Sequence, residues 1–115
     1  MHQTDIQQEI ARDFVFIKSA TRFEKVKLAD IEFIQADGSY TRFVTATKEY
    51  KLSKNLTCII SQIKNPSFLR IHRSFVINLD NVTGLNNDHV FIREKNLPIS
   101  RSFKEDVNRI LNKLS

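Results

Sequence analysis

Guanidinium, imidazole and hydroxyl side chains interrupt an otherwise apolar run between Phe68 and Leu79, with Arg73 at its centre. If this run formed one uninterrupted strand, Arg73 would share a face with five large apolar residues, namely Leu69, Ile71, Phe75, Ile77 and Leu79. An unpaired guanidinium inside a protein costs on the order of several kcal/mol, as any buried ion does. We therefore predict that the strand breaks between His72 and Ser74 and presents Arg73 on a rigid basic tip, which suits an anionic partner. The alternative is that Arg73 pairs with a carboxylate of the same chain.

The positive charge of the chain is concentrated around this run. The 115 residues carry a formal net charge of +5. Between Gly38 and Asn78, seven basic residues stand against the single acid Glu49, whereas the rest of the chain has 11 basic and 12 acidic residues. A concentrated positive segment favours binding to a polyanion. Its basic residues are Arg42, Lys48, Lys51, Lys54, Lys64, Arg70 and Arg73.

Enzyme chemistry has little support in the sequence. The three histidines are dispersed, no Cys or His pair has the spacing of a zinc site, and no glycine-rich loop could hold nucleotide phosphates. His72 lies beside Ser74, but a third orienting group and an oxyanion site cannot be identified. Four carboxylates lie in or beside turns, where solvation is the simplest explanation, namely Asp37, Glu49, Asp80 and Asp88. We therefore expect no catalytic residue, no metal and no cofactor.

Composition predicts one globular domain. Apolar residues make up 41% of the chain, with only two glycines and two prolines, which leaves no long flexible linker. A chain of this length buries roughly two-thirds of its unfolded surface, so a real core is available. No segment has the ~18 apolar residues of a membrane span, and the start of the chain lacks a signal-peptide core. The single cysteine, Cys58, fits a reducing compartment, and we expect a cytoplasmic location.

Alternating apolar and β-branched residues predict a mainly β domain over residues 14–115, preceded by a polar lead over residues 1–13. Two strands should meet near residues 20–22. Asp37-Gly38 predicts a hairpin turn that exposes three donors, Ser39, Tyr40 and Thr41. Further short strands are predicted over residues 49–52, on both sides of the 72–74 break, around a loop at 86–88, and over 96–99.

A first helix is predicted to begin at an N-cap on Ser53 and to end before Asn65-Pro66. Its apolar stripe, spaced i, i+3, i+4, i+7, should pack on the sheet and consists of Leu56, Ile59, Ile60 and Ile63. Lys54 and Asn55 would then lie in the first turn, where free N–H groups favour a phosphate. The alternative is a solvated lysine beside an ordinary cap. Cys58 should be exposed.

A second helix is predicted at the end of the chain. Ser102 and Glu105 have the spacing of a capping box. Arg101 lies just before it, where a cation opposes the helix dipole by ~0.3–1 kcal/mol unless something negative faces it. Arg101 is therefore a second candidate contact residue. The apolar face of this helix comprises Phe103, Val107, Ile110, Leu111 and Leu114.

The order Phe68-x-Arg-Ile-His-Arg-Ser-Phe-Val-Ile-Asn-Leu79, followed by Ile99-Ser-Arg101, resembles the LytTR DNA-binding domain of bacterial response regulators. Asp37-Gly-Ser-Tyr40 and the helix before Phe68 also fit, so the resemblance extends over residues 14–114. It implies an elongated, roughly ten-stranded β fold whose loops enter successive major grooves of double-stranded DNA. Members of this family commonly carry a receiver domain or membrane sensor in front of the DNA-binding domain, so the resemblance leaves two alternatives, a domain excised from such a protein and a stand-alone regulator.

Carried over by position, the resemblance assigns DNA contacts to named residues. Base contacts would fall on Arg73, Arg101, Tyr40 and Thr41. Backbone contacts would fall on Lys54, Asn55, His72, Ser74, Ser39 and Lys51. The turn before Tyr40 reads Asp-Gly-Ser, where the family often has Glu-Gly-Asn, which leaves base preference at this loop open.

Sequence-specific binding to duplex DNA is the favoured function, and two other binding functions are its alternatives. The runner-up is a protein-interaction β module with a basic surface, and single-stranded RNA binding comes next. RNA binding by stacking needs exposed aromatic rings, and of the eleven aromatic residues only Tyr40 lies outside apolar surroundings. We expect no membrane association. We also expect a monomer in isolation, with any dimer forming on adjacent DNA sites, because no long apolar stripe is left over.

Overall fold

The computed structural model describes residues 13–112, in which the chain forms ten strands and two α-helices with three short 3-10 turns. The ten strands confirm the predicted mainly β fold, and the extents of 43 × 29 × 23 Å confirm that it is elongated. Residues 1–12 of the predicted polar lead lie outside the described part of the chain. The elements are β1 Phe14–Lys18, β2 Phe23–Lys27, β3 Ile31–Asp37, β4 Tyr40–Thr45, β5 Glu49–Leu52, α1 Leu56–Gln62, β6 Phe68–His72, β7 Phe75–Asn78, β8 Gly84–Leu85, β9 His89–Ile92, β10 Lys95–Pro98 and α2 Lys104–Asn112.

A five-stranded antiparallel sheet in the order β5-β4-β3-β7-β6 lies at the centre of the fold. Successive side chains of a strand point to opposite faces, so each strand supplies both sides of the core. Ile34, Phe43 and Val76 face α1 and the β1–β2 hairpin. The other face carries residues such as Phe33 and Ile77 and packs against α2 and the three-stranded sheet β10-β9-β8.

Two turns predicted from local sequence are present. The β3–β4 hairpin turns at Gly38, whose φ of 62° lies in the left-handed region that glycine adopts without strain. The predicted break after His72 is also confirmed. Strand β6 ends there, Arg73 and Ser74 form the turn, and β7 begins at Phe75. The register between β6 and β7 shifts near this turn.

The N-cap predicted for α1 was wrong. The helix begins at Leu56, and the cap is Asn55, whose Oδ1 accepts a hydrogen bond of 2.7 Å from the Cys58 N–H. Lys54 therefore precedes the helix and does not lie in its first turn. The predicted apolar stripe is confirmed, because Leu56, Ile59 and Ile63 are buried and Ile60 packs against them. Cys58 is a free thiol that is only partly exposed.

The capping box predicted for α2 is also corrected. A 3-10 turn over Arg101–Phe103 precedes the helix, and Ser100 occupies its N-cap position without a side-chain cap hydrogen bond. Ser102 lies inside this turn and contacts the Ser100 hydroxyl at 3.4 Å. Val107 fixes the helix to the core. Of the predicted apolar face, Leu114 and the side chain of Leu111 lie outside the described part of the chain.

Ion pairs attach the peripheral elements. Lys104 Nζ on α2 lies 2.9 Å from Asp88 Oδ1 in the β8–β9 loop, and this pairing lowers the pKa of the Asp88 carboxyl. Lys48, in the β4–β5 turn, lies 3.0 Å from Glu24 Oε1 on β2, which raises the pKa of the lysine. Both pairs are exposed, so each contributes little to the free energy of unfolding.

Candidate nucleic-acid interface

Most of the candidate residues are brought together at one end of the five-stranded sheet. In an antiparallel sheet, the end of each strand lies beside the start of the next. The ends of β3, β5 and β6 therefore lie beside the starts of β4 and β7. We call this the loop end, and it comprises the β3–β4 turn, residues 53–55 after β5, the β6–β7 turn and the 3-10 turn at Arg101.

Arg73 and Arg101 lie on neighbouring segments of the loop end. The Ser100 N–H donates a 2.9 Å hydrogen bond to the carbonyl of Ile71, which fixes the turn that begins at Arg101 beside the end of β6. Both arginines are exposed. Neither side chain has an ion pair or hydrogen bond with another group within residues 13–112. The structure therefore disfavours the alternative in which Arg73 pairs internally.

His72 and Ser74 form the frame of the β6–β7 turn. The Ser74 N–H donates to His72 Nδ1 at 3.0 Å, and the imidazole lies 5.5 Å from the ring of Phe75. Because Nδ1 accepts this bond, a neutral His72 carries its proton on Nε2 and offers it as a donor. The Ser74 carbonyl in turn accepts a 2.9 Å bond from the Ala36 N–H. The turn is thus attached to β3 beside the hairpin that contains Tyr40.

The β3–β4 turn presents some of the predicted donors and buries another. Ser39 is exposed, and Tyr40 is 47% exposed with its ring 5.7 Å from Lys51 Nζ. Thr41 is fully buried, and its hydroxyl donates a 2.5 Å bond to the Lys54 carbonyl. Consecutive residues of a strand face opposite sides, so Tyr40 and Thr41 cannot both point outward. This burial disfavours the predicted base contact of Thr41, whose hydroxyl instead holds the segment that leads into α1.

Lys54 and Asn55 are exposed beside the loop end, but a helix-terminal anion site is not formed. Asn55 Oδ1 is occupied by the cap, and α1 has only seven residues. Lys54 remains an exposed cation whose backbone is fixed by Thr41. It suits a phosphate as a flexible point charge.

Comparison with known proteins identifies the family of the chain. The model of the LytTr DNA-binding domain matches residues 21–112, which is most of the chain. The chain belongs to the LytTr DNA-binding domain family. This confirms the predicted resemblance, and the pattern around Phe68 and Arg101 lies within the matched region.

Relatives and a solved structure agree with this assignment. The sensory transduction protein LytR of Streptococcus agalactiae is 27% identical over 94% of the chain, and the match spans 48% of that protein. The transcriptional regulatory protein NatR of Bacillus subtilis is 32% identical over 56% of the chain and 28% of its own length. A solved LytTr DNA-binding domain of a response regulator from Bacillus cereus superposes with a TM-score of 0.77. That match covers 88% of this chain and 98% of the solved one at 18% identity, so it shows the fold alone.

Two arginines of this LytTr domain are engaged inside the fold, although they contribute to the basic segment. Arg42 bonds Glu49 Oε1 at 3.1 Å and Gln35 Oε1 at 2.8 Å, and its Nε lies 3.9 Å from Asp37 Oδ2. The Nε is buried without a hydrogen bond, since 3.9 Å is too long for one. Arg42 therefore links three strands of the sheet and is not among the free cations of the loop end.

Arg70 is the residue of this site that sequence reasoning missed. Its Nη2 donates to the Arg73 carbonyl at 2.6 Å, its Nε to the His72 carbonyl at 3.3 Å, and its Nη1 to Thr57 Oγ1 at 3.0 Å. From the sequence, Arg70 was expected to act only as one positive charge of the basic segment. Its period-two spacing from Phe68 places it on the sheet face covered by α1, where an arginine requires internal partners. The spacing alone shows that Arg70 shares a face with Phe68, whereas the cover by α1 is a property of the tertiary structure.

Exposed aromatic residues are more numerous than predicted. Phe16 is 56% exposed and Phe23 is 62% exposed, both more than Tyr40. Both lie on the outer face of the β1–β2 hairpin, where Phe16 pairs with Lys25 and Phe23 pairs with Lys18. The expectation that only Tyr40 lies free was therefore wrong.

Features of other kinds of site are absent from residues 13–112 or lie away from the loop end. There is no group of three or more His, Cys, Asp or Glu side chains that could hold a metal ion in this range. Neither described helix is long and apolar enough to cross a membrane. Two open clefts of about 460 and 450 Å³ both adjoin Lys25 and Lys27 and are lined by no residue of the loop end.

Proposed function

We propose that this LytTr domain binds double-stranded DNA sequence-specifically through its loop end, as the output domain of a bacterial transcription regulator. The observation that carries the proposal is that the segments of two exposed arginines, both without an internal partner within residues 13–112, are joined by a backbone hydrogen bond. The Ser100–Ile71 hydrogen bond fixes the segments of Arg73 and Arg101 side by side. Loops of this kind would enter the major groove, where guanine presents O6 and N7 to a guanidinium.

The proposed contacts divide into base reading and backbone binding. Arg73 and Arg101 read bases through two parallel donors, and Tyr40 contacts a base edge from the neighbouring turn. The residues proposed to bind phosphates fix orientation without sequence information. They are Ser39, Lys51, Lys54, Asn55, His72 and Ser74.

The printed names of the relatives support a regulatory role. They include a transcriptional regulatory protein and two sensory transduction proteins. The chain spans less than half of the length of each of these relatives. We propose that a receiver domain or sensor acts together with the LytTr domain, and that the LytTr domain functions in the cytoplasm. We also propose that the isolated LytTr domain is a monomer that dimerises only on adjacent DNA sites.

Enrichment from a randomised duplex library followed by mobility shifts tests this proposal. Because each neutralised phosphate contributes about −0.9 to the log–log salt slope, four to seven basic contacts predict a slope of roughly −4 to −6. The measurement is the affinity of the enriched duplex and of a random duplex at several salt concentrations. Failure to enrich any sequence, or salt-insensitive binding, would contradict the proposal.

A protein-interaction module is the second candidate, and one specific observation favours it. The outer face of the β1–β2 hairpin exposes Phe16 and Phe23, which soluble domains usually cover or place singly. If this domain is a protein-interaction module, Phe16→Ser and Phe23→Ser should abolish binding of a protein partner. If the domain binds DNA through its loop end, both variants should bind the enriched duplex as tightly as the unmodified domain does.

A further inference from the structure

We propose that Arg70 is a positioning residue, which fixes the β6–β7 turn in the conformation from which Arg73 reads DNA. The inference rests on the proposed function and adds a residue to it that does not itself touch DNA. The guanidinium of Arg70 bonds the carbonyls of both His72 and Arg73. These two carbonyls lie on either side of the Cα atom that carries the Arg73 side chain.

The three hydrogen bonds of Arg70 hold together two separate elements. Two of them end on the β6–β7 turn, and the third ends on Thr57 Oγ1 in α1. The guanidinium is planar and rigid, so its donors fix the relative positions of the acceptors that they bind. The bond to the Arg73 carbonyl, at 2.6 Å, is as short as strong charge-assisted hydrogen bonds.

A direct DNA contact by Arg70 is disfavoured by the same geometry. Its side chain is half-buried, and each of its three nitrogens already donates to an acceptor of this chain. Arg73, in contrast, is exposed and makes no internal side-chain bond within residues 13–112. The two arginines therefore have different tasks, one inside the turn and one at its tip.

Positioning matters because base reading is geometric. Two parallel donors must meet guanine O6 and N7 together, so a displaced or mobile backbone loses this contact while unspecific attraction to phosphates persists. The Ser74 N–H bond to His72 Nδ1 and the Ala36 N–H bond to the Ser74 carbonyl fix the far side of the turn. Arg70 fixes the first part of the turn, through the carbonyls of His72 and Arg73.

The first experiment compares Arg70→Lys with a matched control. Lysine keeps the charge but cannot make the three bonds, so affinity for the enriched duplex should fall about tenfold. Preference at the base read by Arg73 should flatten, while affinity for random duplex stays within about twofold and the salt slope is unchanged. Arg42→Lys is the control, since Arg42 is also bonded within the sheet but does not contact this turn. It should leave preference at that base intact.

A double substitution separates this inference from the proposed function. If Arg70 acts through Arg73, the variant carrying both Arg70→Lys and Arg73→Lys should bind no worse than Arg73→Lys alone. Full additivity of the two losses would overturn the positioning role. If Arg73→Lys alone left base preference unchanged, the proposed role of Arg73 would fail instead.

Backbone dynamics of the free domain provide a readout that needs no DNA. In Arg70→Lys, the NMR order parameters of the Arg73 and Ser74 amides should fall while those of the β3–β4 turn do not. Thr57→Val, which removes only the anchor on α1, should cause a smaller fall at the same amides and can be measured even if Arg70→Lys folds poorly. Unchanged order parameters at Arg73 in both variants would overturn the inference.

Discussion

Arginines in this domain differ by what surrounds them rather than by their position in the sequence. Arg42 and Arg70 are bonded to groups within the sheet and its turns, and Arg93 forms a 2.7 Å ion pair with the buried carboxylate of Glu32. Arg73 and Arg101 have no such partners within residues 13–112. An exposed guanidinium without a partner keeps its donors for an external acceptor, which is the basis of the proposed base contacts.

Replacing either of these two arginines by lysine should impair base recognition without impairing the electrostatic attraction to the DNA backbone. Lysine keeps the charge but cannot offer two parallel donors to guanine O6 and N7. Arg73→Lys or Arg101→Lys should therefore cost about 1–3 kcal/mol on the enriched duplex and flatten preference at one base position. Competition assays with matched, mismatched and random duplexes measure both effects.

Circular dichroism melts supply the control for these variants. Because both arginines are exposed, their replacement should leave the melting temperature nearly unchanged. A large fall in melting temperature for Arg73→Lys, together with equal losses on specific and random DNA, would make Arg73 a scaffold residue.

Lys54→Ala should show the opposite pattern. This lysine is exposed, and a point charge on a flexible stem binds phosphates without regard to sequence. The variant should weaken binding to all duplexes to a similar degree and reduce the magnitude of the salt slope by about one unit. Salt titrations on the enriched and random duplexes check this, and a change in base preference would contradict the assignment.

The residues that sequence reasoning misjudged share a physical cause. Thr41 was expected at the surface because it follows a turn, but strand alternation turns it toward α1. Arg70 was counted as charge, although its three acceptors come from α1 and the β6–β7 turn. In both cases the outcome depended on which face another element covers, and this is a property of the tertiary structure.

Elements with a local sequence signal were predicted well. The Asp37-Gly38 turn requires only a residue that tolerates positive φ, and β5 was predicted with its observed bounds. Helix starts were predicted poorly, because Ser53 and Asn55 are both suitable caps and the path of the chain after β5 decides between them. The bond from Thr41 to the Lys54 carbonyl fixes that path. The left-handed conformation of Arg93 in the β9–β10 turn has no such local signal.

The cap of α1 provides a prediction at the scale of the element. Asn55→Ala removes the acceptor of the Cys58 N–H and should lower the free energy of unfolding by about 1 kcal/mol. Ser53→Ala is the matched control, because Ser53 lies two residues before the cap and should change stability by less than about 0.5 kcal/mol. Urea titrations of both variants give the comparison. A larger loss for Ser53→Ala would contradict the observed cap.

The whole molecule places its candidate contacts across a surface wider than one groove. Five strands spaced about 4.8 Å apart separate β5 from β6 by about 19 Å at the loop end. A major groove is about 12 Å wide. Lys51 lies near the end of β5 and Lys54 follows this strand at one flank, while Arg73 follows β6 at the other. We therefore expect the flank with Arg73 to enter a major groove and the flank with Lys51 and Lys54 to contact the adjoining phosphates. This agrees with the proposed assignment of base and backbone contacts.

The exposed face of the β1–β2 hairpin is the surface through which the whole molecule could self-associate. Phe16 and Phe23 present apolar surface, but Lys18 and Lys25 lie opposite them in a checkerboard on the same face. Two copies that met through this face would bring like charges together, which is unfavourable. We therefore expect a monomer at micromolar concentration, as measured by sedimentation velocity without DNA.

Salt and substitution make this last prediction specific to the hairpin. High salt screens the lysines without weakening contacts between phenylalanines, so any association through this face should increase as salt is raised. Phe16→Ser and Phe23→Ser should prevent that increase, whereas Tyr40→Ser, which changes an exposed ring at the loop end, should not. A stable dimer at low salt would contradict the expected monomer. Its loss in Phe16→Ser would locate the interface on the hairpin, and its persistence would locate it on α2 or on an edge strand.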